Sequence, residues 1–411
     1  MKTQSEVNGE RLWQRLMTLG KIGETERGGS RRLALTGLDK QGRELVCSWM
    51  RDAGLELTTD RIGNIFGRRP GVDNSLPPIV TGSHIDTQPS GGKFDGCYGV
   101  MAGLEVMQTL QDQQIQTRTP LELVIWTNEE GARFVPTMMG SGVFCGDIPL
   151  EHAYASQDAL GISVKDELDR LGYVGAEQIG EHRVGAYLEA HIEQGPVLES
   201  EQKVIGIVTG VLGIRLINVT VTGREAHAGP TPMGIRHDAL YAAAPAFTQI
   251  VDIGRGYGEH ARATIGEIDV SPGSRNTIPG LVRFSVDLRH LVPEVLQEMV
   301  QKAREICARP QSDSGLTFHF EELQYVVPTK FDSEMIGAVR DAVLATPYTH
   351  MEIVSGAGHD ACYLAKVAPT SMIFVPCKDG ISHNEIESAQ PEHLQAGANV
   401  LLGAMMALAN H

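Results

Sequence analysis

Residues 77–96 run Pro77-Pro78-Ile79-Val80-Thr81-Gly82-Ser83-His84-Ile85-Asp86-Thr87-Gln88-Pro89-Ser90-Gly91-Gly92-Lys93-Phe94-Asp95-Gly96. The opening residues, Pro78 to Thr81, have the length and composition of a short buried strand. Directly behind them come a glycine, a histidine and an aspartate, so His84 should leave the sheet at the strand's carboxyl end. Asp95 follows among glycines that allow the backbone to fold close upon itself. Outward from this stretch the same punctuation recurs. The strand-like run Leu121 to Thr127 ends in Asn128-Glu129-Glu130-Gly131, Gly185 to Ala190 runs into His191-Ile192-Glu193-Gln194, and Ser371 to Pro376 precedes Gly380-Ile381-Ser382-His383-Asn384. Helical runs such as Met101 to Leu110 lie between the strands, and that alternation predicts a sheet with helices on both faces.

His84, Asp86, Asp95, Glu129, Glu130, His191 and His383 therefore sit at or just past strand ends. In an α/β sheet the carboxyl ends of neighbouring strands open on one crevice. Oxygen and nitrogen donors meeting there form the ligand set of a two-metal hydrolase. Asp86, two residues beyond His84, suits a supporting role, because a carboxylate on the far imidazole nitrogen fixes the tautomer and raises ligand basicity. Asp95 could bridge two ions. Adjacent glutamates usually mark a solvated turn; here one carboxylate binds metal while its neighbour takes the proton of an activated water. Strand alternation puts Glu189, His191 and Glu193 on one face. Each motif alone is modest, and four at strand ends in one chain carry weight together.

The chain has 411 residues, too long for one ordinary core, so two domains are expected. A formal charge of −16 repels phosphate backbones and acidic membranes, which argues against nucleic-acid or membrane partners. An anionic substrate must then be caught by local arginines. Six scattered cysteines without a C-x-x-C pair, behind a polar N-terminal stretch, predict buried reduced thiols in a cytoplasmic protein. The apolar run near Val400 to Ala409 is too short to span a bilayer and reads as a core helix closed by Asn410. From Gly9 to about Gly54 the pattern is mostly helical.

A stretch of different rhythm lies within this frame. Strand Ile214 to Val221, helix Asp238 to Ile253, strands Ala263 to Val270 and Arg283 to Leu288, helix Pro293 to Cys307 and strand Leu316 to Leu323 give the order β-α-β-β-α-β. That is the split, ferredoxin-like unit. The expected fold class is thus α/β, a metal-binding catalytic domain with a mixed sheet and flanking helices over 1–211 and 328–411, with an inserted ferredoxin-like α+β domain over 212–327.

No G-x-S-x-G elbow, H-E-x-x-H helix or P-loop occurs. Gly356-Ala357-Gly358-His359-Asp360-Ala361 matches the loose dinucleotide pattern, but it lies late in the chain with His359 and Asp360 inside the turn. The preferred reading is a turn presenting N–H groups to a substrate carboxylate or a bound water, with Gly358 and His359 as substrate-binding residues. The sequences GSHIDTQPSGGKFDG, WTNEEGARF, EAHIEQGPVLE, REAHAGPTPM, SRNTIPG, SGAGHDA and GISHNE together resemble the M20 metallopeptidase-like amidohydrolases. Within them the chain is similar to the hydantoinase/carbamoylase group of L-N-carbamoylases, β-ureidopropionases and allantoate amidohydrolases. The likeness runs from Gly9 to the terminal helix.

The resemblance implies two divalent ions per subunit, zinc, manganese, cobalt or nickel. One would be held by His84, Asp95 and His191 and the other by Asp95, Glu130 and His383. Many M20 peptidases carry an aspartate where this chain has His191. Glu129 would be the general base, and the insertion a lid and dimerisation domain of a homodimer. His227 would reach the partner subunit's site to stabilise an oxyanion, Asn276 and Arg289 would grip the substrate carboxylate, and Gln194 would bind the ureido group. Arg215 is a weaker candidate for substrate contact. The implied activity is cleavage of N-carbamoyl-L-amino acids to amino acid, CO2 and NH3; N-carbamoyl-β-alanine stands second and allantoate third, and a dipeptidase or aminoacylase of the superfamily follows. A non-catalytic protein that kept the fold predicts missing ligands, and none is missing.

Overall fold

The structure is a computed structural model and describes residues 5–308 and 315–410. It divides into two compact units, the chain up to Thr209 together with the chain from Phe331 onward, and Gly210–Lys330. The strands in chain order are β1 Glu56–Thr59, β2 Ile65–Arg69, β3 Ile79–His84, β4 Leu121–Trp126, β5 Ala186–Ile192 and β6 Ile205–Val211. Then come β7 Gly213–Thr222, β8 Ala226–His227, β9 Arg262–Thr264, β10 Ile268–Ser271, β11 Thr277–Ile278, β12 Leu281–His290 and β13 Thr317–Val326. The chain closes with β14 Thr329–Lys330, β15 His350–Ser355 and β16 Thr370–Val375.

The larger sheet has the order β1-β2-β4-β3-β5-β16-β6-β14, with β15 beside β6. Its centre, β4-β3-β5-β16, is parallel throughout, while the pairings toward either edge, such as β2 with β4 and β6 with β16, are antiparallel. The central strands are buried along their whole length, as parallel strands covered on both faces must be. Helix Cys97–Asp112 packs on β3, β4 and β5, and helix Pro391–Asn410 lies against both that helix and β16. Burial of Glu105 within the first helix is compensated by Arg11 at 2.6 Å and Arg15 at 3.7 Å. Proline opens the second helix, where no backbone N–H is missed.

In the second unit the sheet order is β10-β12-β7-β13, with β9 also on β12. Alternate residues of β12 are buried, and Val282, Phe284, Val286 and Leu288 pack with Val219 and Val221 into one core with helices Ala239–Gly256 and Pro293–Ala308. One sequence expectation needs correction. The single strand placed at Ala263 to Val270 is two pieces, because Thr264 faces Asp287 while Ile268 faces Phe284, so one extra residue sits opposite β12. The Ser285 hydroxyl takes the Glu267 N–H in the resulting bulge. No helix among the described residues is long and apolar enough to cross a membrane, and all six cysteines are free thiols, five of them buried.

Candidate two-metal site

Four adjacent parallel strands bring their carboxyl ends to one edge of the sheet, and the expected donors hang there. His84 is the last residue of β3, Glu129 and Glu130 follow β4, His191 lies near the end of β5 opposite Phe374 of β16, and His383 lies past β16. Asp95 enters from the loop before helix Cys97–Asp112. The adjoining Gly96 has φ +63°, and a Cβ there would fall 2.3 Å from the His84 ring, so only glycine lets Asp95 and His84 approach.

Two donor groups result, His84 with Asp95 and His191, and Asp95 with Glu130 and His383, each with its ligand atoms within 4.8 Å of one another. The Asp95 carboxylate divides between them. Its Oδ1 lies 3.2 Å from His191 Nε2 and 3.7 Å from His84 Nε2, and its Oδ2 lies 3.3 Å from His383 Nε2. Glu130 Oε2 stands 3.4 Å from His383 Nε2. Glu129 belongs to neither triad but reaches to 3.5 Å from His84 Nε2. A third grouping, Glu189, His191 and His359, shares His191, and its Glu189 is occupied by the Ser83 hydroxyl and the Ala361 N–H.

The far ring nitrogens are fixed by main chain. His84 Nδ1 faces the Asp86 backbone carbonyl at 2.9 Å and His191 Nδ1 the Ile192 carbonyl at 2.8 Å. Both Nε2 atoms therefore turn into the site, that of His84 toward Asp95 and Glu129 and that of His191 toward Asp95, where it also accepts the Gly96 N–H at 3.1 Å. This corrects the expectation for Asp86. Its carboxylate is 3.9 Å from His84 Nδ1 and instead accepts the N–H groups of Glu129 (3.3 Å) and Glu130 (3.2 Å), holding the turn that carries both glutamates. Glu193, expected on the ligand face, likewise accepts the N–H groups of Val197 and Leu198.

The electrostatics fit divalent cations. Burial, then the charges of Asp360 and Glu130, push the Glu129 carboxyl well above its usual range, and burial with the Asp95 charge pushes Glu130 up to about 8. Burial also works against ionisation of Asp95, but hydrogen bonds to His191 and His383 outweigh it and hold that carboxyl low. Burial drives His84 down to about 4, so its ring is neutral. His191 is raised to about 9, its burial overcome by Asp95, and His383 is raised to about 9 first by its hydrogen bond to Asp95. Three crowded carboxylates call for positive charge at their centre; without metal, protons on His191 and His383 supply it, and two divalent ions would take their place.

Several supporting residues were not legible beforehand. Glu387 holds the Asp95 loop, Gln88 donates to Glu130 Oε2 at 2.7 Å, and Asn64 Oδ1 takes the Thr127 N–H at 3.0 Å. Arg43, buried and paired with Asp39 at 2.9 Å, also reaches Thr127. These contacts join residues from 42 to 292 positions apart in the chain, and no spacing signals them. Gln194 donates to Asp95 Oδ2 at 2.7 Å while its Oε1 is buried with no partner. Asn128, Gln194 and His383 all adopt positive φ, between 53° and 57°, a strained backbone typical of functional sites.

Other expected residues fare differently. Gly358 stands across from Met138, with a Cβ there 3.2 Å from its methyl carbon. His359 is buried against His191, ring centroids 4.6 Å apart, with Nε2 at 3.0 Å from the Ser355 hydroxyl, so it packs directly on a donor of the first triad. In the second unit, pairing of β8 with β11 sets His227 opposite Thr277 and bonds the Ala228 N–H to the Asn276 carbonyl, so His227 and Asn276 share one ribbon. Arg289 sits in β12 with its guanidinium on Asp287 at 2.8 Å. Arg215 donates to Glu322 (2.7 Å) and Gln297 (2.8 Å) and stacks on Tyr325, all within its own unit.

Histidine and carboxylate donors shared by a central aspartate, with a spare glutamate alongside, define the class: a hydrolase with a dinuclear metal centre on an α/β sheet. The model of the peptidase family M20/M25/M40 matches residues 80–407. The chain is 45% identical to an N-carbamoyl-L-amino-acid amidohydrolase of Rhizobium meliloti, covering 97% of this chain and 96% of the relative. It is 39% identical to an N-carbamoyl-L-amino acid amidohydrolase of Geobacillus stearothermophilus, covering 98% and 99%. Among solved structures, an amidase of the hydantoinase/carbamoylase family from Burkholderia multivorans superposes with a TM-score of 0.97 at 51% identity, covering 100% of both chains. The chain belongs to the M20 family, in its hydantoinase/carbamoylase group.

Proposed function

We propose that this protein hydrolyses N-carbamoyl-L-amino acids to the free amino acid, CO2 and NH3, with N-carbamoyl-β-alanine and then allantoate as the next candidates. The observation that carries this reading is the Asp95 carboxylate, with one oxygen turned to His84 and His191 and the other to His383 beside Glu130. The near-full-length relatives named N-carbamoyl-L-amino-acid amidohydrolases support the substrate class.

His84, Asp95 and His191 would hold one ion and Asp95, Glu130 and His383 the other; such ions, when bound, supply Lewis acidity that polarises a carbonyl and acidifies water. Glu129, buried beside the donors but in neither triad, is the carboxylate left to take a proton. It accepts that proton from the attacking water at its carboxylate oxygen and returns it to the amino nitrogen as the carbon–nitrogen bond breaks. Gln194 offers its unpaired Oε1 to the NH2 of the ureido group. Asn276 and Arg289 grip the substrate carboxylate, a task suited to a guanidinium fork, and His227 of a homodimer partner donates to the developing oxyanion. A cytoplasmic location accompanies this reading.

Ammonia release from N-carbamoyl-methionine, N-carbamoyl-β-alanine and allantoate, beside deacylation of N-acetyl-methionine, with several divalent metals, tests the substrate. Turnover confined to N-acetyl-methionine would move the chain to the aminoacylases. Glu129→Gln should keep both ions and lose about a hundred-fold or more in kcat; full turnover in that variant refutes the assignment of Glu129.

A further inference from the structure

One buried carboxylate ties together the two loops that carry Asp95 and His383. Glu387, 6% exposed, accepts the Phe94 N–H at 2.9 Å and the Asp95 N–H at 3.1 Å on Oε1 and meets the Ser382 hydroxyl at 2.9 Å on Oε2. That hydroxyl also lies 2.7 Å from Asp95 Oδ2. Gly92 makes room for the clasp, since a Cβ there would fall 2.0 Å from Glu387 Oε1. The two donor triads are not equally secure. His84, Asp95 and His191 are all buried, and backbone carbonyls fix both rings. His383 has a side chain 51% exposed and a φ of +53°, and no hydrogen bond among the described residues steadies its Nδ1.

We infer that Glu387 is a positioning residue that selectively holds the Asp95, Glu130 and His383 site, so that its loss leaves a centre able to keep one ion but not two. Glu387 touches no reacting atom. It acts through the backbone of Asp95 and through Ser382, the neighbour of His383. Removing its carboxylate leaves two buried N–H groups without an acceptor and frees the two loops from each other. The first triad shares Asp95 but keeps two imidazoles fixed by backbone carbonyls, whereas the second loses both the Asp95 clasp and the Ser382 hold beside His383.

Metal-free wild type, Glu387→Ala, Glu387→Gln and Ser382→Ala are each titrated with Mn2+, with bound metal counted and circular dichroism checking the fold. Wild type should take up two ions. Glu387→Ala should bind the first ion as wild type does and the second about ten-fold or more weakly. Glu387→Gln should restore the second ion, because its amide oxygen still accepts the two N–H groups and its NH2 donates to Ser382. Ser382→Ala should weaken the same ion to a lesser degree. Two ions bound with wild-type affinities in Glu387→Ala, or equal loss of both in a folded variant, overturns the inference. If Glu387→Ala does not fold, unchanged second-ion affinity in Ser382→Ala overturns it. The inference rests on the dinuclear reading: a wild type holding fewer than two ions overturns both, whereas a second ion bound equally tightly by wild type and by Glu387→Ala overturns this inference alone.

Discussion

Asp86 places its two carboxylate oxygens on the N–H groups of Glu129 and Glu130 and its backbone carbonyl on the His84 ring. Asp86→Asn retains the carbonyl but offers the N–H pair a single acceptor oxygen. An orphaned buried N–H costs about 1–3 kcal/mol, felt where Glu129 is aimed. We expect Asp86→Asn to still bind two ions, the one on Glu130 at most about a few-fold more weakly, while kcat falls about ten-fold or more. An aspartate acting directly on the imidazole would instead weaken metal binding about 10–100-fold. Metal content and kcat on one sample separate the two. A motif such as H-x-D shows that the donors are close, yet which atom of the aspartate serves the ring depends on how the turn after β3 packs against the turn after β4.

At the scale of elements, the segment leading into β5 is pinned to the sheet by His182. Its Nε2 lies 2.6 Å from Glu122 on β4, its Nδ1 lies 2.9 Å from Glu177, and its ring stacks on Phe66 of β2 with centroids 4.2 Å apart. Burial works to lower this imidazole, but the hydrogen bond and charge of Glu122, joined by Glu177, outweigh it and raise the pKa. A folded value above the unfolded one contributes stability that is complete below about pH 6.5 and lost as pH rises through the folded value. His182→Gln should therefore cost about 1–2 kcal/mol at pH 5.5 and progressively less toward pH 9, read by denaturant unfolding across that range. A deficit independent of pH would contradict the charged pairing. The hairpin of β1 and β2 on which this clasp rests was not evident from residue pattern. Gly67 and the arginines Arg68 and Arg69 interrupt its apolar run, and the space a Cβ on Gly67 would take is filled by the Met50 methyl carbon at 2.3 Å.

For the whole molecule, two cations neutralise a buried acidic cluster in a chain of formal charge −16. Binding only to the folded state adds about 4 kcal/mol when free metal exceeds its dissociation constant a thousand-fold. Chelation should accordingly lower Tm, and restoring Mn2+ should return it; a Tm indifferent to chelator would deny the site its cations. The alternation of strand and helix, the β-α-β-β-α-β order between Ile214 and Leu323, whose second strand the structure divides at a bulge, and the strand-end positions of the donors are local properties of the chain, set by apolar spacing and by where each run stops. By itself the sequence determined the fold class, the insertion and the donors that converge, because side chains at the ends of adjacent parallel strands have few other places to go. Only the tertiary structure decided that Asp86 serves a turn, that His359 packs on His191 and Arg215 pairs within its own unit, and that Glu387 clasps two loops. Hydrogen-bond partners inside a protein are chosen by packing among groups hundreds of residues apart, and no local spacing records that choice.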